Sequence, residues 1–412
     1  MLHLFEAFGI ELEYMIVDAQ SLDVRPIADH VLRDAQGMPV SDLDRDEISW
    51  SNELTSHVVE VKTNGPASDL SPLPRLFQQN IDDINRQLES AQARLLPTAM
   101  HPWMNPQREM QLWPHDYHTV YETFDKIFDC RGHGWANLQS MHINLPFAND
   151  EEFGRLHAAI RLILPLLPAL AASSPCLDGQ LSGQMDSRLD VYRRNAKGVA
   201  SIAGRVIPEP VFDQASYDRE IFQPMFQDIA RFDPEGILQN EFLNSRGAIA
   251  RFSRGAIEIR VIDVQECPQA DVAIAALTIA VLKLIVAENW TSYPQQCALS
   301  IDDLEPAFLS AINLAGEGVI QNSLLLQQFG ISEPHALLND VWRRLYAAVC
   351  ESHPEFATLY GPAIDTILNE GCLARRIVTA LNGQADAARL RETYRQLADC
   401  LLHGEQFHTV SC

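Results

Sequence analysis

Four short stretches of this chain alternate with period two, and each sets an aliphatic face against one bearing charge or imidazole. Residues i and i+2 of a β-strand share a face. In Gly9-Ile10-Glu11-Leu12-Glu13-Tyr14, Glu11 and Glu13 therefore oppose Ile10 and Leu12. In Val58-Val59-Glu60-Val61-Lys62, Glu60 and Lys62 oppose Val59 and Val61. In Met141-His142-Ile143-Asn144-Leu145, His142 and Asn144 oppose the three aliphatic residues, and Glu258 and Arg260 oppose Ile257, Ile259 and Val261. Any half-exposed antiparallel strand alternates in this way. Two glutamates on one strand face, however, repel each other unless a cation or hydrogen-bond donors lie between them. One sheet with helices on its oily side and a polar, concave surface on the other satisfies all four stretches.

The rest of the chain supplies the helices. Helical spacing covers about 70–95, 151–172, 270–288 and 386–402, and everything from Ser300 onward reads as helical. Strands interleaved unevenly with helices predict an α+β fold with an antiparallel sheet, not regular βαβ winding. No convincing linker occurs. The expected organisation is a single catalytic domain over 1–412, with a sheet-bearing core at 1–295 and a helical part at 296–412 packed on it.

Composition narrows the partners. Lys+Arg is 31 and Asp+Glu is 55, a formal charge of −24, which gives no general attraction for nucleic acid or anionic membranes. Small-molecule substrates are expected, and the sequence is compatible with a homo-oligomer. The apolar run Val272–Ala287 carries Lys283, is too short to span a bilayer, and reads as a buried helix. Met1-Leu2-His3-Leu4-Phe5-Glu6 lacks the basic-then-apolar pattern of a signal peptide. The eight cysteines are scattered, form no CxxC pair and read as reduced thiols, so a cytoplasmic protein is expected.

Glu53 poses a geometric problem. It lies an odd number of residues before Glu60, so it reaches the same face only through a turn or bulge around Thr55-Ser56-His57. Glu11, Glu13, Glu53, Glu60 and Glu258 would then offer carboxylates, and His142 one imidazole. Such a set suits Mg²⁺ or Mn²⁺ better than zinc, which prefers Cys and His in tetrahedral sites.

These residues resemble a known family. Gly9-Ile10-Glu11-Leu12-Glu13, Glu53 with Val59-Glu60-Val61-Lys62-Thr63, and Met141-His142-Ile143-Asn144 are similar to stretches of the second glutamate–cysteine ligase family. So are Ala172-Ser173-Ser174-Pro175, Arg188 with its neighbours, Gly255 through Asp263, and Leu373-Ala374-Arg375-Arg376-Ile377. The fragments span nearly the whole chain in the family's order. These carboxylate–amine ligases are related in fold to glutamine synthetase. The resemblance implies a curved antiparallel sheet forming a funnel, with ATP and Mg²⁺ inside. It makes Glu11, Glu13, Glu53, Glu60, His142 and Glu258 the metal-binding set. It also makes Arg188 and Arg260 the arginines that meet phosphate or substrate carboxylate, with Arg254 beside them at the nucleotide. The implied reaction activates an amino-acid carboxylate, by default that of glutamate, and joins it to an amine such as cysteine, as in glutathione biosynthesis. The chain departs from the family at Tyr121-Glu122, where Tyr-Arg is usual, and at Cys130–Trp135.

Other motifs are weaker. No Gly-x-x-x-x-Gly-Lys-Ser/Thr loop occurs, and Gly132-His133-Gly134 lacks a βαβ context. His115, His118 and His101 read as loop residues, and Cys267 as a packed strand-end residue. The alternatives to a ligase are a metal–nucleotide or amino-acid binding relative without ligase activity, and a metal-dependent amide hydrolase.

Overall fold

The structure, a computed structural model, describes residues 1–196 and 198–409, so the thiol of Cys412 lies outside it. Among the described residues, eight strands form one antiparallel sheet. They are β1 (Gly9–Asp18), β2 (Asp42–Arg45), β3 (Ile48–Asn52), β4 (Val58–Thr63), β5 (Ala93–Leu96), β6 (Ser140–Pro146), β7 (Ala248–Arg251) and β8 (Ala256–Asp263). The order is β2-β3-β4-β1-β6-β8-β7. β5 extends the β6 side of β1, because Met15 meets Val58 on one edge and Leu96 on the other. All four alternating stretches are strands of this α+β sheet.

The longer helices are α1 (Leu73–Leu88), α2 (His118–Phe128), α3 (Asp150–Ile163), the short α4 (Ser187–Tyr192), α5 (Pro268–Val286), α6 (Ile301–Leu314), α7 (Leu338–Ser352), α8 (Glu355–Glu370), α9 (Leu373–Leu381) and α10 (Ala387–His403). The helical reading of 70–95 ran too far: α1 ends near Leu88, Gln92 turns left-handed at φ 52°, and Ala93 starts β5. The reading of 151–172 is interrupted where Pro165 and Pro168 break the hydrogen-bond ladder. The region after Ser300 is mostly helical but also holds a small hairpin, Val319–Ile320 with Ala336–Leu337.

Burial follows the alternation. Ile10, Leu12, Val59, Val61, Met141, Ile143, Ile257 and Ile259 are all fully buried on one side of the sheet. Each such side chain contributes about 1.5–3 kcal/mol of transfer free energy. α1 covers β3, β4 and β5, burying Phe77, Ile81, Ile84 and Leu88 at helical spacing. α5 packs in turn against α1, α3, α7 and α8, which explains why it is apolar all round. Because it begins at Pro268, the helix is longer than the apolar run alone and, contrary to the sequence expectation, long and apolar enough to cross a membrane, yet most of it is buried inside the protein. One cluster of buried side chains runs from Phe8 to Phe407. A wholly buried ion pair, Arg376 with Glu266, ties α9 to the segment after β8.

β8 carries a bulge. Ile259 faces Ile143 but Ile262 faces Met141, so one extra residue is inserted between them. The phase of the strand therefore inverts, and Asp263 pairs with Ser140 instead of following Val261 onto the oily side.

His57 anchors the turn before β4. Its Nε2–H donates to the Ala136 carbonyl at 2.7 Å, and burial lowers its pKa to about 4. An unfolded chain takes up this proton near pH 6.5, so the stability due to neutral His57 is lost as pH falls below that value. We expect wild type to lose about 2 kcal/mol relative to His57→Gln between pH 7 and pH 5. Denaturant titrations at the two pH values measure this.

Candidate active site

The polar face of the sheet lines a cleft of about 560 Å³. β1 is its centre. Across β1 and β4, Glu13 faces Glu60 and Glu11 faces Lys62. Across β1 and β6, Glu11 faces His142, and across β6 and β8 Asn144 faces Glu258. The register thus gathers the acids of β1, β4 and β8, with His142 and Asn144 of β6, onto one wall. β3 joins the same wall through Ser51, which faces Glu60.

Glu53 arrives as the turn requires. β3 ends at Asn52 and the next five residues form the connection to β4, which returns antiparallel. Glu53 lines the cleft from that connection. Asn52 Nδ2 holds it in place by donating to the Glu53 carbonyl at 2.9 Å and to the Tyr121 hydroxyl at 3.0 Å.

Hydrogen bonds orient the other acids. His142 Nδ1 lies 2.9 Å from Glu11 Oε2, and Asn144 Nδ2 donates to Glu11 Oε1 at 3.0 Å. Glu13 Oε2 accepts from the Ser140 N–H at 2.6 Å and from its hydroxyl at 3.0 Å. Glu60 Oε1 accepts from Ser51 Oγ at 2.7 Å and Lys62 Nζ at 2.8 Å. Glu258 Oε2 accepts twice from Arg251, at 3.0 and 2.9 Å, while Arg260 Nε stands 3.1 Å from Oε1 without hydrogen-bond alignment.

The charges divide accordingly. Burial raises the pKa of Glu258, but Arg260 and Arg251 outweigh it and hold the carboxylate at about 2. Burial likewise opposes Glu11, and the His142 hydrogen bond holds it below the usual range. Burial and the neighbouring Glu60 push Glu13 up. Glu53 is pushed well above the usual range by burial and by the charges of Glu13 and Glu60. Acids whose ionised forms are disfavoured by burial and by like charges fit a site for hard cations. The donor atoms of Glu11, His142 and Glu258 lie within 4.8 Å of one another, as do those of Glu13, Glu60 and His142. Oxygen donors with a single imidazole and no thiol suit Mg²⁺ or Mn²⁺. Glu53 lies outside both donor sets, at the same wall.

Arg188 and Arg260 both line the cleft, Arg188 from the start of α4. Arg254 is exposed, on the β7–β8 hairpin at the cleft wall. Sequence reasoning assigned no role to Lys62, Arg251, Ser140 or Asp263. Lys62 carried a legible signal, since it shares a strand face with Glu60, whereas Arg251 depended on the β7–β8 pairing and Asp263 on the bulge. The departures from the family pattern separate: Tyr121 and Trp135 line the cleft, whereas Glu122 is exposed and absent from its lining. His101 Nε2–H donates to the Leu22 carbonyl at 2.7 Å, away from the cleft lining, and His115 stands 3.7 Å from Asp29. Cys267 is buried at the start of α5, and burial pushes its thiol up, which suits packing and not nucleophilic attack.

The family model of glutamate-cysteine ligase family 2 matches residues 7–313. The chain belongs to that family. An uncharacterized protein of Archaeoglobus fulgidus is 34% identical over 280 residues, covering 68% of this chain and 75% of its own. A protein named putative glutamate–cysteine ligase 2-1, from Nocardioides, is 28% identical over 293 residues, 68% of each chain. Among solved structures, the glutamate–cysteine ligase of Francisella tularensis in complex with AMP superposes with a TM-score of 0.65 at 13% identity. That match covers 96% of this chain and 88% of the other. The complex between the prokaryotic ubiquitin-like protein Pup and its ligase PafA gives 0.54 at 12% identity, covering 98% and 78%. These two show the shared fold, which is the one the sequence resemblance implied.

Cation binding follows from the charge balance. Mg²⁺ at this wall would favour the ionised forms of Glu13 and Glu53, which burial and like charge disfavour, so its apparent affinity should rise with pH and binding should release protons. At a hundredfold excess over Kd, Mg²⁺ should stabilise the fold by about 2.7 kcal/mol. Calorimetry in two buffers of different ionisation heat reads both effects. Neither proton release nor stabilisation would mean the wall is not a cation site.

Proposed function

We propose that this protein is an ATP-dependent carboxylate–amine ligase. It would activate an amino-acid carboxylate, by default the γ-carboxylate of glutamate, as an acyl phosphate. An amine such as cysteine would then attack, releasing ADP and phosphate. The observation that supports this reading best is the cleft itself: six carboxylates (Glu11, Glu13, Asp42, Glu53, Glu60, Glu258) share it with Lys62 and four arginines. A site for a cationic ligand would have no use for the arginines, and one for a simple anion no use for the acids. Phosphoryl transfer from a nucleotide to a carboxylate uses both.

The difficulty of the reaction is electrostatic. A carboxylate oxygen must approach a γ-phosphate of like charge. Glu11, Glu13, Glu60, His142 and Glu258, with Glu53 beside them, would hold Mg²⁺, which when bound offsets charge on the phosphates. Arg188 and Arg260 would meet the transferring phosphoryl group or the substrate carboxylate, for which the planar guanidinium fork is suited. Glu258 holds Arg260 and Arg251 in place through its two oxygens, so those donors are aimed before the ligand arrives. Asn144 and Ser140 fix the rotamers of Glu11 and Glu13 in the same way. All the residues that line the cleft fall within 1–295, and we read 296–412 as bracing that core within a single catalytic domain. We place the protein in the cytoplasm, where its seven described cysteines, all unpaired, would stay reduced.

A screen of amino-acid and amine pairs with ATP and Mg²⁺, reading ADP, phosphate and product mass, tests the reading. Amide product from at least one pair is expected. Tight ATP binding with no product from any pair would favour a non-ligase binding relative, and amide cleavage without ATP would favour a hydrolase. With an active pair in hand, Arg260→Ala should lower kcat by roughly 10²–10³. Glu258→Gln should weaken Mg²⁺-dependent nucleotide binding and turnover together, and intact binding and turnover would remove Glu258 from the metal set.

A further inference from the structure

We propose that Asp263, which the bulge in β8 turns onto the polar side of the sheet, is a positioning residue that aims Arg188 into the cleft. Arg188 lines the cleft, although its side chain is only 2% exposed. Its Nε donates to Asp263 Oδ1 at 2.5 Å, and its Nη2 donates to the Arg260 carbonyl at 3.1 Å. These contacts occupy one edge of the guanidinium. Nη1 takes no acceptor among the described residues, which leaves the end of the fork for a ligand anion.

Asp263 is itself held rigidly. Its Oδ2 accepts from the Ser173 N–H at 2.8 Å and the Ser174 hydroxyl at 2.9 Å. Ser174 Oγ in turn accepts from the Arg188 N–H at 3.1 Å, so main chain and side chain of Arg188 are fixed by one carboxylate and one hydroxyl. The same strand distortion that brings Asp263 round also presents the Arg260 carbonyl to Arg188. A buried ion pair is weak evidence for stability by itself. This pair ends at the cleft wall, where fixing a cation before the ligand arrives removes a reorganisation cost.

The inference rests on the ligase reading for its turnover arm but not for its binding arm. The experiment is a double-mutant cycle of Asp263→Asn and Arg188→Lys, read by Mg²⁺–ATP binding and, where an active pair is known, by kcat and KM. Each single change should weaken Mg²⁺–ATP binding or lower kcat by at least tenfold. The double variant should be no worse than Arg188→Lys, because an aimed residue that is already lost cannot be misaimed. KM for the amine should stay within about threefold throughout. Multiplicative losses, or Asp263→Asn indistinguishable from wild type, would overturn the proposal and leave Asp263 a purely structural residue. If Asp263→Asn does not fold, Ser174→Ala takes its place in the same cycle with the same expected non-additivity. Failure of every substrate pair with the binding cycle intact would refute the ligase reading alone.

Discussion

Like charges packed along one buried wall must be neutralised or protonated, and much of the geometry around this cleft answers that demand. Glu13 and Glu60 are direct register partners, and Glu11 lies one pleat away on the same face. Lys62 sits on Glu60, Arg251 and Arg260 on Glu258, and His142 between Glu11 and Glu13. Among the described residues Glu53 forms no ion pair, and burial with its acidic neighbours raises its pKa well above the usual range. A cation bound at this wall would offset that charge.

Rigidity comes from the other side of the sheet. β1, β4, β6 and β8 bury an unbroken aliphatic surface under α1 and the helices around α5. A one-residue slip of any of these strands would exchange its buried aliphatic side chains for its charged or polar ones, which fixes the register strongly. The apolar face therefore determines where the carboxylates stand to within a pleat. Side-chain hydrogen bonds from Ser140, Asn144 and Ser51 then fix their rotamers.

The bulge in β8 is the exception that the site exploits. A regular strand would place Glu258 and Arg260 on the polar face and lose Asp263 to the core. With one residue inserted, all three serve the same side, and Asp263 reaches Arg188 from α4. The conjunction of Ser173, Ser174, Arg188 and Asp263 joins two segments far apart in the chain into one support for the cleft.

Most of the sheet-borne site was legible from the spacing of residues. Period-two alternation marked Glu11, Glu13, Glu60, His142 and Glu258, because burial on one face leaves a strand only one way to turn its acids. The turn required for Glu53 could also be stated in advance. β2, β3, β5 and β7 were not legible: Ser49 and Ser51 are polar yet buried, and Ala93–Leu96 continues the apolar rhythm of the preceding helix. Local sequence thus determined which side chains share a face, a matter of backbone pleat and hydrophobic burial. Which faces meet was decided only in the tertiary structure, by strand order, the bulge at Arg260-Val261 and the docking of α4. Those depend on contacts between segments that no local period records.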